Sequence, residues 1–427
     1  MSKGKCKVPE INLDLIVYSF LSGLEYDPLK AFFDQCNVLY PSASTYYRYL
    51  QKYVYPVTWC FWLSHKEDNI NKIRERNTGV TLAGDARFDS PGFSAKYATY
   101  CIQEKESKKI IAIEVGMKAQ VNCSSQMEVN ACQRLIEELL SSGLDIAVFA
   151  SDRSTSVRKM MKIKFPRIKH QFDPWHWVTK IKKRLHKSFK LVSCRNLKAW
   201  NKSIVNMIWY SLGSSIRNAP LARQKILSIF QHVSNVHSFP SMILFSKCLH
   251  DEILDIRPWI IPGSLEMKKL QEAILGVDGK NLIDLENMDE FCHTGDLESL
   301  NSLILKYSSK THAFSWLGML IRNVLAVLDF NYNVDREYKK DKNGDFLYKT
   351  KVDRAGTSAS VVRQKVKKDY SFRKNIRDLC ATCIEQNVIP TPEYPIDPEA
   401  ILSRKHRFDK KELVTSYVSR LKKVAAT

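Results

Sequence analysis

The feature that most narrows what this chain can fold into lies between residues 78 and 190. Three strand-length apolar runs follow one another there before any helix: "TGVTLAGDARF", "SAKYATYCIQEK" and "KKIIAIEVGMKA". The "EKESKK" between the second and third is short and polar, as a hairpin turn should be. A helix follows, because Met127, Ala131, Leu135, Ile136, Leu139 and Leu140 recur at helical spacing until Gly143 stops them. "DIAVFAS" is a continuous apolar run of strand length, the mark of a strand buried on both faces. "STSVRKMMKIKF" reads as a helix with Ser154 near its cap, and "RIKHQFD" as a fifth strand. "PWHWVTKIKKRLHKSFK" is a helix with Pro174 in its first turn.

The order is therefore β-β-β-α-β-α-β-α, which describes an α/β fold with a ribonuclease H-like mixed sheet. Residues 78–190 supply the first part of that domain. Residues 191–290 show amphipathic helical patterns and no strand alternation, so they read as an all-helical insertion. Residues 291–335 return to the domain with two strong helices, "TGDLESLNSLILKYSS" and "FSWLGMLIRNVLAVLDFNYNVDRE". Residues 336–427 are charged and poor in apolar side chains, so a loop or arm is expected, with a turn at Asn343-Gly344. Residues 1–77 read as a helical segment of three helices. Asp27 with Pro28 opens the second helix, and Ser42 or Ser44 caps the third. These helices suit either a helix-turn-helix or a small bundle packed on the next domain.

A chain of 427 residues is too long for one small core, so two or three domains are expected. Net charge is +21, from 66 Lys and Arg against 45 Asp and Glu. That excess points to a polyanionic partner, nucleic acid first and an acidic membrane surface second. No stretch approaches ~18 uncharged apolar residues, so no membrane span is expected. The basic start with its apolar patch is interrupted by Asp14 and has no clear cleavage site, so it reads as a helix of the mature chain. The 11 Cys are scattered and odd in number, which suits free thiols in a reducing compartment.

Two acids flank the end of the first strand. Asp85 follows Gly84 inside the strand, and Asp89 stands before Ser90-Pro91-Gly92, which is turn chemistry. Asp152 ends the apolar fourth strand, where Ser154 or Thr155 can serve as the helix cap in its place. Asp173 before Pro174 is an N-cap signature and an alternative ligand, with His176 able to help at a metal or phosphate. Glu298 sits beside the apolar stripe of its helix and can point toward the strand edge, while Asp296 suits a cap. Such carboxylates at one edge suit paired Mg²⁺ ions, which favour hard oxygen ligands. Trp175 and Trp177 suit core or a packing corner. On the helix they start, Lys180, Arg184 and Lys187 lie at i, i+4 and i+7 with Lys182 and Lys183 nearby, a stripe suited to phosphate contacts. Cys380 and Cys383 form half of a zinc site. Cys248 with His250, or Cys292 with His293, are the available second halves, at non-standard spacings.

Four blocks, "LAGDARFDSPGFSAKYATY", "ASDRSTSVRKMM", "KHQFDPWHWVTKIKKRL" and "HTGDLESLNSLILKY", occur in an order that resembles eukaryotic cut-and-paste DDE transposases, nearest to the Kolobok-like group. The resemblance spans roughly residues 10 to 335. It implies a ribonuclease H-like catalytic core interrupted by a helical insertion before the last acid, and an acidic triad of Asp85, Asp152 and Glu298. It further implies Mg²⁺ or Mn²⁺ as cofactor, DNA as partner, a homo-oligomer on DNA and a nuclear location. Relatives of this kind often carry an N-terminal zinc-dependent DNA-binding module, and no zinc-finger spacing precedes residue 10. Two readings follow: an enzyme that cleaves and transfers DNA strands, or a catalytically inactive DNA-binding descendant of one.

Overall fold

The computed structural model describes residues 10–90, 95–121, 123–251, 257–276, 279–353 and 355–395, together with Thr415. The sheet comprises β1 (Val80–Phe88), β2 (Tyr97–Glu104), β3 (Ile110–Met117), β4 (Ile146–Ser151) and β5 (Lys169–Phe172). Its spatial order is β3-β2-β1-β4-β5. The first three strands form an antiparallel meander, and β4 and β5 add in parallel on the other side of β1. This five-stranded mixed sheet is compatible with the expected ribonuclease H-like architecture. The helices number α1 (Glu10–Leu21), α2 (Tyr26–Gln35), α3 (Ala43–Tyr49), α4 (Tyr55–Arg74), α5 (Ser124–Ser141), α6 (Thr155–Lys164) and α7 (Pro174–Ser188). They continue with α8 (Arg195–Gly213), α9 (Ala219–His232), α10 (Leu265–Leu275), α11 (Lys280–Ile283), α12 (Gly295–Tyr307), α13 (Trp316–Asn331) and α14 (Ser371–Glu385).

Every residue of β2 and β3 is buried, because helices cover both faces: α5 packs on one, α4 and α13 on the other. On α13 only Leu317 escapes full burial. Polar groups on so enclosed a helix need partners. Asn323 donates from Nδ2 to Thr99 Oγ1 at 2.7 Å. Asn331 clasps the edge of β3, accepting from the Ile110 N–H at 2.8 Å and donating to its carbonyl at 2.9 Å.

The N-terminal helices belong to the same core. Tyr26, Tyr40, Tyr46, Tyr55, Trp59 and Trp62 are buried in one cluster with Ala83, Cys101 and Ile113 of the sheet and with Leu320 and Val324 of α13. Aromatic burial of this extent makes the segment a bundle fused to the sheet rather than a separable module. Ser42 caps α3, accepting from the Thr45 N–H. A π-helical turn at Leu50–Val54 then carries the chain into α4. At α2 the cap position falls to Glu25, with Asp27 in the first turn.

The insertion has its own core around Trp200, Ile204, Ile226 and Leu270, and it draws in Trp177, Val178 and Ile181 of α7. So α7 leaves the sheet and serves the insertion, which a boundary at residue 190 does not express. The loop or arm expected from residue 336 carries regular structure among its described residues. β6 (Tyr348–Val352) and β7 (Ala359–Arg363) form an exposed antiparallel ribbon, and α14 docks on α1 and α4 through buried Phe372, Ile376 and Cys380. Those three recur at i, i+4 and i+8, a stripe hidden in the sequence by the charges around it. Cys380 is thus a core side chain. Among the described residues neither it nor Cys383 joins a metal-competent group, and no helix is long and apolar enough to cross a membrane.

Gly84 shows why the first strand carries a glycine before its acid. A Cβ there would lie 2.6 Å from the Tyr100 hydroxyl oxygen and 2.7 Å from Phe149 Cζ. Both rings are fully buried and cannot retreat. Gly84→Ala is expected to destabilise the fold by about 1–3 kcal/mol through overpacking. Chemical denaturation checks this, and an unchanged midpoint would refute the close-approach account.

Candidate functional site

Strand register builds the site. Gly84 pairs with Ser151 across the parallel β1–β4 ladder, and Ser151 pairs with Phe172 across β4–β5. The next residue in each case is an acid: Asp85, Asp152 and Asp173. Neighbouring strands lie roughly 4.8 Å apart, so three carboxylates share one level, with Asp152 and Asp173 just past the carboxyl ends of β4 and β5 and Asp85 inside β1. Local chemistry explains why β4 and β5 end there. Ser154 caps α6, accepting from the Val157 N–H, which leaves Asp152 uncommitted to capping. Asp173 caps α7, accepting from the Trp175 N–H at 2.9 Å.

The three acids are held differently. Asp85 accepts from the Ala86 N–H and from Asn301 Nδ2, both at 2.8 Å. Burial and then the neighbouring Asp152 carboxylate nonetheless push its pKa up to about 7. Burial would also raise Asp173, but hydrogen bonds from His176 and Thr294, with His293 nearby, hold it well below the usual carboxylate range. Thr294 Oγ1 donates to Asp173 Oδ2 at 2.6 Å. His176 Nδ1 stands 2.9 Å from both Asp173 Oδ2 and Asp152 Oδ1. One ring proton cannot serve both in full. The well-directed hydrogen bond goes to Asp173, and the solvent-shielded Asp152 Oδ1 makes none. Asp152 and then Asp173 raise the His176 pKa to about 10.

α12 runs along this edge and carries Glu298. Thr294, Glu298 and Asn301 stand at i, i+4 and i+7, one stripe of the helix. The first touches Asp173 and the last touches Asp85. The exposed Glu298 between them therefore lies on the face turned to the acids. The cap of α12 is Thr294; Asp296, expected there, sits in the first turn 3.7 Å from Lys105 Nζ.

Asp89 has a separate occupation. Its Oδ1 accepts from the Lys96 N–H at 3.0 Å, and its own N–H donates to the Tyr97 carbonyl at 3.1 Å. It ties the corner into β2. The structure thus brings together Asp85, Asp152, Asp173 and the α12 face bearing Glu298, and it leaves Asp89 outside. Lys180, Lys183, Arg184 and Lys187 are exposed on α7, with Arg184 also donating to the Ala273 carbonyl at 3.3 Å. Trp177 is core, while Trp175 is 42% exposed and meets the His176 ring edge-on, with centroids 4.9 Å apart.

Sequence reasoning missed Glu128. This α5 side chain also faces Asp152, and burial followed by that carboxylate raises its pKa to about 7. No local signal marks it, because its approach depends on how α5 crosses the sheet. Thr294 and Asn301 were within reach, since both stand one helical turn from Glu298. The donor set suits a hard divalent cation: two or three carboxylates, one buried oxygen without a hydrogen bond, and two acids that resist ionising beside Asp152. Asp152, Asp173 and His176 place their donor atoms within 4.8 Å of one another, although the His176 ring nitrogen there is already engaged with Asp173.

No protein-family description matches this chain, and no curated protein matches it. Among solved structures it is distantly similar to the Drosophila P element transposase strand transfer complex, at 13% identity with a TM-score of 0.34, over 78% of this chain and 95% of that one.

Proposed function

We propose that this protein cleaves and joins DNA strands as a DDE-type transposase of Kolobok-like character, with a ribonuclease H-like core and Asp85, Asp152 and Glu298 as its acidic triad. The observation that carries the reading is the alignment of Asp85, inside β1, with Asp152, just past the end of the adjacent parallel β4, with the Asp85 carboxyl forced up by burial and by Asp152. Asp85, Asp152 and Glu298 would hold Mg²⁺ or Mn²⁺, with Glu128 beside them. Such ions, paired, supply activation of the attacking oxygen and stabilisation of the leaving one. Asp173 is a positioning residue, because its oxygens are spent on the α7 cap, His176 and Thr294. His176, held protonated by two carboxylates, presents positive charge where a phosphate would lie. Trp175 offers an exposed ring for a base displaced from the stack. Cleavage leaves a 3′-hydroxyl, and its attack on a second phosphodiester is the same displacement, so one site serves both steps. The protein would work as a homo-oligomer on DNA in the nucleus.

The test is nicking of supercoiled plasmid and joining of a 3′-hydroxyl oligonucleotide to it, with Mg²⁺ or Mn²⁺, for wild type and Asp152→Asn. Equal activity in the two proteins sinks the proposal. A non-catalytic descendant would bind DNA with no cleavage by either protein. The α7 stripe is tested separately. Replacing Lys180, Lys183, Arg184 and Lys187 with Ala is expected to flatten the slope of log affinity against log salt by roughly 2 to 4, at about 0.9 for each phosphate no longer neutralised. An unchanged slope would move the DNA path elsewhere.

A further inference from the structure

The helical insertion carries a second cluster of ligands, far in chemistry from the carboxylate edge. His232, His237, Cys248 and His250 each offer one donor atom, and these atoms lie within 4.8 Å of one another. We propose that they bind a structural zinc ion. The backbone prepares the arrangement. His232 is the last residue of α9. The chain then folds back on itself, Ser238 bridging to Lys247 in antiparallel fashion, and the Cys248 N–H donates to the His237 carbonyl at 2.9 Å. That pairing sets Cys248 opposite His237, and His250 follows two residues on.

The ring geometry is that of imidazoles converging on one point. The three centroid separations are 5.0, 5.1 and 5.0 Å, and the ring planes cross at 80°, 76° and 88°. With Zn–N bonds near 2.0–2.1 Å, tetrahedral ligation separates ring centres by about 5 Å and a nitrogen from a thiolate sulfur by about 3.5 Å. His232 Nδ1 and Cys248 Sγ are 3.4 Å apart.

Outer contacts aim the nitrogens. Hydrogen positions on imidazoles are assigned from partners, and here the partners decide. His250 Nδ1 is 2.7 Å from the Asp251 carbonyl, which can only accept, so Nδ1 carries the proton and Nε2 the lone pair. His237 Nε2 is 3.1 Å from Asn235 Oδ1, so its Nδ1 carries the lone pair; that nitrogen is buried with no hydrogen-bond partner. Metal-bound histidines are oriented by such carbonyl and amide acceptors. Trp200 and Trp259 wall the site, edge-on to His232 and His237. One thiolate with three imidazoles, four donors in all, suits zinc in a closed structural site. His232-x₄-His237 falls within the usual spacing of a histidine ligand pair, whereas Cys248-x-His250 does not, which conceals the set in the sequence. The ion would clip the end of α9 to residues 233–250, which have little regular structure of their own.

The full chain, purified without chelator, should carry about one zinc by elemental analysis, because a closed four-ligand site retains its ion. Exchange for Co²⁺ should give the strong visible bands of a tetrahedral ion and a near-ultraviolet thiolate-to-cobalt band. Cys248→Ser should lose that band and most of the zinc, while the Asp85→Asn, Asp152→Asn double variant keeps both. A wild-type chain with neither zinc nor a tetrahedral cobalt spectrum overturns the proposal. So does a thiolate band that persists in Cys248→Ser. The wild-type cobalt spectrum needs no variant to fold.

Discussion

Asp152→Asn is expected to lower metal-dependent strand cleavage and strand transfer by at least about 10³-fold. Lewis-acid stabilisation of a phosphoryl transition state is worth several kcal/mol, and each 1.4 kcal/mol is about tenfold in rate. Asn keeps the shape of Asp and one acceptor oxygen but removes the charge that binds the cation. Asp152 is partly exposed and caps no helix, so the fold should survive. The substitution also removes a raising influence from Asp85, Glu128 and His176 together, since Asp152 acts on all three. The assay compares initial rates of plasmid nicking over a Mn²⁺ titration. Loss of activity with unchanged thermal unfolding supports the site. Loss of activity accompanied by unfolding would assign Asp152 a structural role instead.

The second large effect is on stability and has the opposite direction from most substitutions. Without divalent ions, Asp85→Asn should be more stable than wild type at pH 8 by roughly 2–4 kcal/mol. That range follows from about 1.36 kcal/mol for each pH unit separating the folded and unfolded values, discounted for coupling to Asp152. The sign follows from the raised carboxyl. The unfolded group titrates near 3.8 and the folded one near 7. Below pH 3.8 both states hold the proton, and the favourable contribution is complete. As pH climbs from there to about 7 the unfolded chain releases its proton first, so folding loses stability until both are ionised. Glu128, raised to about 7, adds a change of the same sign. Wild type should therefore soften between about pH 4 and 7, the Asn variant less so, and Mg²⁺ or Mn²⁺ should restore wild type only. Thermal unfolding across pH, with and without Mn²⁺, reads this directly. Equal pH profiles for the two proteins would remove the electrostatic basis of the site.

Much of the architecture was legible because periodicity and capping are local. Strand-length apolar runs, the helical stripe from Met127 to Leu140, Ser154 at the cap of α6 and Asp173-Pro174 at the head of α7 are written within a few residues each. Structure in the tail from residue 336 is hidden for the same reason in reverse. Phe372, Ile376 and Cys380 are too few among charges to announce a helix, and only packing against α1 and α4 makes them core.

By itself the sequence determined the order of strands and helices, and it put an acid inside β1 and one just after each of β4 and β5. It did not determine that these acids meet. That is a matter of register, Gly84 against Ser151 and Ser151 against Phe172, set by ladders between strands distant in the chain. The same holds for Asp89, drawn away into the corner of β2, for Glu128, delivered by the crossing of α5, and for His232 and His237, brought to Cys248 and His250 by a folded-back loop. Local preferences act over a helical turn or a strand, while a site needs atoms within a few ångströms of one another, and only the packed structure supplies that proximity.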